Sequence, residues 1–233
     1  MVPGVEEQPH PQPLPKHGEG SQGREITKWD IFYYVYGLLH HPEYRERYAD
    51  NLKRELPRLP FAPAFWPFAE AGKRLADLHL GYESVQPYEL DWGMSADRID
   101  YRVEKMRLKN PLPDSLPTHG EGRGGVESGK DYKSYDTLIY NDTLTLAGIP
   151  AEVFDYRLGN RSALEWVIDQ YQVKTDKRSG ISSDPNGYSD DERYIVDLVE
   201  KVVRVSLETV AIVNALAKEP FAVLPHPPHS PHP

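Results

Sequence analysis

Apolar residues recur at helical spacing near both ends of the chain and alternate with polar ones in its middle. Near the front, Thr27 and Asp30 are spaced as a capping box ahead of Ile31-Phe-Tyr-Tyr-Val-Tyr-Gly-Leu-Leu39, which predicts a helix. Trp29, Phe32, Tyr36 and Leu39 fall on one stripe of it and are expected to pack in the core. A second helix is expected from Pro42 through Leu56, because proline suits a first helical turn and Pro57 ends the run. A third spans Phe65 to Leu78. Tyr101 to Lys109 then alternates, which predicts a strand with Lys105, Arg107 and Lys109 projecting from one face. Leu138 to Leu146 reads as a hairpin turning at Asn141-Asp142.

Ser162 and Glu165 form another capping-box pair and open a further helix. That helix hands over to a basic, hydroxyl-rich loop carrying Lys174, Thr175, Lys177, Arg178 and Ser179, which stops at Asp184-Pro185-Asn186. Last comes a long helix, expected to start at Ser189 and Glu192. Ile195, Leu198, Val202, Val205, Thr209, Ile212 and Leu216 line its buried side. Its β-branched residues permit a strand locally, but the sustained helical period decides for helix. The fold class that follows is α+β, with helices packed around a small, mostly antiparallel sheet.

Composition limits how much of the 233 residues belongs to that fold. Pro11 to Gly20 and Asn110 to Gly122 share Pro-Leu-Pro and His-Gly-Glu-Gly, and both lack hydrophobic periodicity. Such segments cannot bury enough surface to offset chain entropy, and they read as related low-complexity insertions. The expected organisation is a disordered leader over 1–25, a core over 26–221 interrupted at about 110–130, and a disordered Pro/His tail over 222–233. No cysteine is present, which removes disulfides, thiolate metal sites and cysteine nucleophiles and fits a reducing cytoplasm. No signal core or membrane-length apolar run is seen. The formal charge of -9 argues against a general electrostatic binder of nucleic acid, so any such contact must come from a local basic face.

Catalytic signals are missing. No Gly-x-x-x-x-Gly-Lys-Ser/Thr loop exists, and no strand leads into Gly-x-Gly-x-x-Gly. Asn110-Pro-Leu-Pro113 lacks the aromatic that an Asn-Pro-Pro-aromatic methyltransferase motif uses to stack its target base. His40 and His41 are adjacent, point in different directions on a helix, and are read as helix-end residues near the last carbonyls. His226, His229 and His232 are read as an incidental feature of the tail, and no metal site is expected. Asp190, Asp191 and Glu192 are explained by a first helical turn. Two sets of residues remain as candidates for phosphate or base-edge contact: Lys105, Arg107 and Lys109, and Lys174, Thr175, Lys177, Arg178 and Ser179.

Taken together, Ile26 to Tyr48, Leu75 to Leu80, Tyr101 to Met106, Ile139 to Asp142, Ser162 to Asn186 and Asn214 to Leu216 resemble the C-terminal specificity domain of type ISP restriction–modification enzymes. Members of that family join a nuclease, a helicase-like ATPase, an adenine-N6 methyltransferase and a DNA target-recognition domain in one polypeptide. The resemblance implies a recognition module for double-stranded DNA, with methyltransferase and helicase/nuclease parts of the same system as further partners. S-adenosylmethionine, ATP and magnesium are expected only for those other parts, and none in this chain. The missing motifs and the insertion suggest a truncated or split reading frame. A rival expectation is a non-catalytic remnant that acts as a protein-interaction domain.

Overall fold

The computed structural model describes residues 24–54, 57, 59–111 and 135–221. The leader, the insertion, the tail and its three histidines lie largely outside them. The first helix, α1 (Lys28–His40), carries the full expected capping box: the Thr27 hydroxyl accepts from the Asp30 N–H, and the Asp30 carboxylate accepts from the Thr27 N–H. Its expected core stripe holds only in part: Tyr36 and Leu39 pack partly buried against the core, but Trp29 and Phe32 do not. Tyr34, Gly37 and Leu38 are buried, while Trp29 and Phe32 are 58% and 49% exposed. The cause lies in the partner helix, α4 (Phe65–Leu80). Gly37 sits against the Phe68 carbonyl and Gly72 against the Tyr33 carbonyl, so a Cβ at either glycine would collide with backbone. That close crossing turns the glycine face inward and leaves Trp29 and Phe32 outside. Tyr34 is fixed there by its hydroxyl, which donates to the Pro60 carbonyl at 2.8 Å and accepts from the Ala62 N–H at 2.7 Å.

The second expected helix is interrupted at Tyr48, giving α2 (Pro42–Arg47) and α3 (Ala49–Arg54). His40 behaves as a helix-end residue, with Nδ1 at 2.7 Å from the Tyr36 carbonyl. His41 instead sinks to 1% exposure between the rings of Phe68 and Phe221.

The sheet is antiparallel, in the order β1-β4-β3-β2, from strands β1 (Asp91–Met94), β2 (Arg107–Pro111), β3 (Tyr135–Ile139) and β4 (Leu144–Ala147). The β3–β4 turn is set by Asn141, whose Oδ1 accepts the N–H groups of Thr143 and Leu144. Leu138 faces Leu146 on one side and Leu108 on the other, and this row enters the main core. Covering that face are α5 (Ala163–Gln170) and α6 (Tyr194–Leu216), which supply Leu164, Ile195, Val196, Leu198, Val199, Val202 and Val203. All seven residues expected on the buried side of α6 are buried. Its start differs from expectation. No Ser189–Glu192 capping box forms; the helix begins at Tyr194, and the acidic residues precede its first turn. Asp191 accepts from the Arg193 N–H at 2.9 Å, which already occupies a cap amide.

Two short ribbons complete the described fold, β5 (Arg157–Leu158) with β6 (Arg161–Ser162) and β7 (Lys174–Thr175) with β8 (Ser182–Ser183). No helix among the described residues is long and apolar enough to cross a membrane.

Candidate nucleic-acid interface

The expected strand over Tyr101–Lys109 forms only from Arg107 onward. Side chains have captured the backbone before it. Asn141 Nδ2 donates to the carbonyls of Asp100 and Arg102, and the Tyr140 hydroxyl donates to that of Tyr101. Asn186 takes both polar groups of Val103: Oδ1 accepts its N–H and Nδ2 donates to its carbonyl, each at 2.8 Å. With those groups engaged, no ladder can run through 100–103, and the segment becomes a rigid, irregular ledge.

The basic loop is a hairpin docked on that ledge. The Val173 N–H donates to the Glu104 carbonyl at 2.9 Å, where the hairpin leaves the body. Where it returns, Asp184 pairs with Arg102 at 2.8 Å. The Arg102 guanidinium, followed by Asn186, holds the Asp184 carboxyl below its ordinary range. At the near strand, Lys174 is bound to Asp169, which also pairs with Arg161. The Lys174 hydrogen bond is the main reason that the Asp169 carboxyl titrates low.

Asp176 organises the tip. Its Oδ1 accepts the N–H groups of Arg178 and Ser179 and the Ser179 hydroxyl, at 2.9, 2.7 and 3.0 Å. Those bonds, the Ser179 amide first, hold the Asp176 carboxyl below its ordinary titration range. Gly180 supplies the positive φ of 72° that lets the chain turn back, and its N–H returns to the Asp176 carbonyl. Thr175 and Ser182 bond to each other across the ribbon at 2.8 Å.

The two segments that carry the candidate residues are joined at the foot of the hairpin. Glu104, which anchors the hairpin, directly precedes Lys105. Lys105, Arg107 and Lys109 are exposed; Arg107 and Lys109 face away from the Leu108 side of the edge strand β2. Within the hairpin set the structure separates roles. Lys174, Thr175 and Ser179 are engaged in holding the hairpin together, while the Lys177 and Arg178 side chains make no ion pair among the described residues. The sequence marks Asn141 as a turn and Asn186 as the end of the loop but not their part in positioning this surface, and it gives no sign of the part Arg102 plays. The Asp184-Pro185-Asn186 run was the available signal, since Asx side chains beside proline bind their own backbone. Here Asp184 does so, accepting the Asn186 N–H at 3.0 Å.

Below the hairpin, the ledge and the segment 185–195 enclose a cleft of about 400 Å³, lined by Arg98, Asp100, Tyr101, Asn186, Ser189 and Glu192 among others. Its mixed charges give it no single ligand chemistry. Among the described residues no group of three or more His, Asp or Glu side chains could hold a metal ion.

A family model described as the type ISP C-terminal specificity domain matches residues 8–198. The chain belongs to that family. Among solved structures, a nuclease-deletion mutant of the type ISP restriction-modification enzyme LlaGI in complex with a DNA substrate mimic is 40% identical, with a TM-score of 0.67 over 85% of this chain. The ATP-dependent type ISP enzyme LlaBIII, bound to DNA, is 36% identical, with a TM-score of 0.68 over 84% of the chain. A DrdV–DNA complex is 34% identical, with a TM-score of 0.64 over 85% of the chain. This specificity domain spans only 17%, 12% and 18% of those three chains, respectively. No curated protein sequence matches it.

For a specificity domain the geometry has clear chemical meaning. A ribbon whose tip cations Lys177 and Arg178 make no ion pair among the described residues can accept phosphates without spending side-chain pairing of its own. A two-stranded ribbon also fits the width of a DNA major groove.

Proposed function

We propose that this chain recognises double-stranded DNA as the specificity unit of a type ISP restriction–modification system, and that methylation, translocation and cleavage belong to other parts of that system. The observation that carries this reading is the docked hairpin. It presents Lys177 and Arg178, whose side chains make no ion pair among the described residues, and its foot is bonded to the segment that carries the exposed Lys105, Arg107 and Lys109, on a chain whose formal charge is -9. In an acidic protein such a local basic face is the electrostatic footprint expected of a DNA contact. Phosphate contacts would set register, and polar side chains nearby would read base edges. A cytoplasmic setting, and S-adenosylmethionine, ATP and magnesium sites outside this chain, are part of the same reading.

Fluorescence anisotropy with a labelled mixed-sequence duplex tests it. Binding should appear at low salt and weaken steeply as salt rises. No binding at high micromolar protein, with or without the methyltransferase part, would overturn the proposal.

A second reading, docking onto the rest of the enzyme, is favoured by the outer face of α1. Ile26, Trp29, Ile31 and Phe32 are each between 48% and 58% exposed there, an apolar cluster of the kind that marks protein contacts. The two readings use separate surfaces and are compatible. Self-association of the isolated chain, lost in a Trp29→Ser, Phe32→Ser variant, would support the second.

A further inference from the structure

The hairpin tip carries one residue that neither phosphate binding nor folding explains. Ile181 is 70% exposed and belongs to no hydrophobic cluster. Its neighbours along the chain, Lys177, Arg178, Ser179, Gly180, Ser182 and Ser183, are polar or glycine and all exposed. Its backbone is nevertheless fixed. The Ile181 carbonyl accepts the Asp176 N–H at 2.9 Å, and its N–H donates to the Ser179 hydroxyl at 3.3 Å. A β-branched side chain on a fixed backbone has little rotamer freedom left to lose.

We propose that Ile181 is an apolar wedge that enters the base stack of bound DNA, with Lys177 and Arg178 on the flanking phosphates. This rests on the DNA-recognition reading above. The chemistry selects the target. A protein surface that accepted Ile181 would also have to desolvate two cations that make no ion pair among the described residues, and several hydroxyls. A duplex meets each group with its own complement: phosphates outside and apolar base faces between steps. Branched aliphatic side chains held at the surface of a rigid element are suited to partial unstacking and kinking of a duplex. Asp176 is the positioning residue, since it holds the tip amides that set the direction of the wedge.

The test uses the full chain and mixed-sequence duplexes, each with one 2-aminopurine placed at a different step, at low salt. Anisotropy reports binding and 2-aminopurine emission reports unstacking. The parent chain should bind and brighten the probe severalfold at one or a few positions. Ile181→Ser should lose that brightening while its affinity falls by less than about tenfold, and Ile181→Leu should keep it. Binding without brightening at any position, or equal brightening by Ile181→Ser, overturns the wedge and leaves DNA recognition standing. A preference for thymine over uracil that depends on Ile181, without brightening, would replace the wedge by a base-edge contact. Absence of parent-chain binding removes the underlying reading and the wedge with it.

Discussion

The Asn186 carboxamide pairs with Val103 as a neighbouring strand would, accepting its N–H and donating to its carbonyl at 2.8 Å each. One side chain thus replaces two ladder bonds and joins the foot of the hairpin to the ledge. Asn186→Ala leaves a fully buried residue with both backbone groups unpartnered, at a cost of about 1–3 kcal/mol. Asn186→Asp keeps the acceptor but sets a carboxylate oxygen against the Val103 carbonyl, so it should be no better than alanine. Urea unfolding midpoints and hydrogen exchange at the Val103 amide check this. A Val103 amide as protected in Asn186→Ala as in the parent would show that the clamp is not what holds the ledge.

The α1–α4 crossing gives a prediction whose sign is informative. Within an isolated helix, alanine is favoured over glycine by about 1 kcal/mol. At Gly72 the added Cβ meets the Tyr33 carbonyl and the Gly37 amide, both backbone. Overpacking of that kind costs roughly 1–3 kcal/mol and forces the helices apart. Gly72→Ala should therefore lower the melting temperature, whereas a rise would mean that the helices are not in such close contact.

The cations at the hairpin divide into engaged and free. Lys174 is held by Asp169, while Lys177 and Arg178 have no partner in the described fold. If the last two contact phosphates, Lys177→Ala with Arg178→Ala should reduce the salt dependence of DNA binding by about 1.8 in log–log slope, at about 0.9 per phosphate. Lys174→Ala should scarcely change that slope and should instead loosen the hairpin, seen as faster amide exchange at Thr175 and Ser182. Equal slope changes for both variants would remove the distinction.

How much of this was legible in the chain depends on what holds each element. The capping boxes at Thr27 and Ser162, the turn at Asn141 and the buried face of α6 rest on local chemistry or on long periodicity, and they could be read directly. The orientation of α1 could not be read, because glycines 37 and 72 meet across 35 residues and outvote the aromatic stripe. Likewise Tyr101–Met106 alternates as a strand does, yet partners from 140, 141 and 186 occupy its backbone. Of the candidate contacts, residue type gave Lys177 and Arg178, but the engagement of Lys174 depended on Asp169, one helix earlier. Ile181 was passed over because an apolar residue in a basic loop has no periodicity to mark it.

A partly buried polar chain between helices predicts a response to acid. His79 lies between Tyr36 and Thr209, with Nδ1 at 2.8 Å from the Tyr36 hydroxyl and Nε2 at 2.8 Å from that of Thr209. Its ring stacks on Tyr156 and stands 5.6 Å from the ring of His40. Burial first, and the neighbouring His40 second, bring its pKa down from 6.5 to about 4. The Tyr156 phenol is pushed up to about 12 by the same burial and stays neutral throughout. Between pH 6.5 and about 4 the unfolded chain takes up a proton that folded His79 refuses, so the unfolded state binds more protons and stability falls as pH falls. Above 6.5 both states are neutral and the contribution is flat. His40 and His41, also lowered by burial, act in the same direction. Urea unfolding midpoints measured from pH 7.5 to 4 should decline through that window. His79→Gln, which can still bridge the two hydroxyls, should show a shallower decline from a lower starting midpoint. An unchanged pH profile in His79→Gln would place the acid response on other groups.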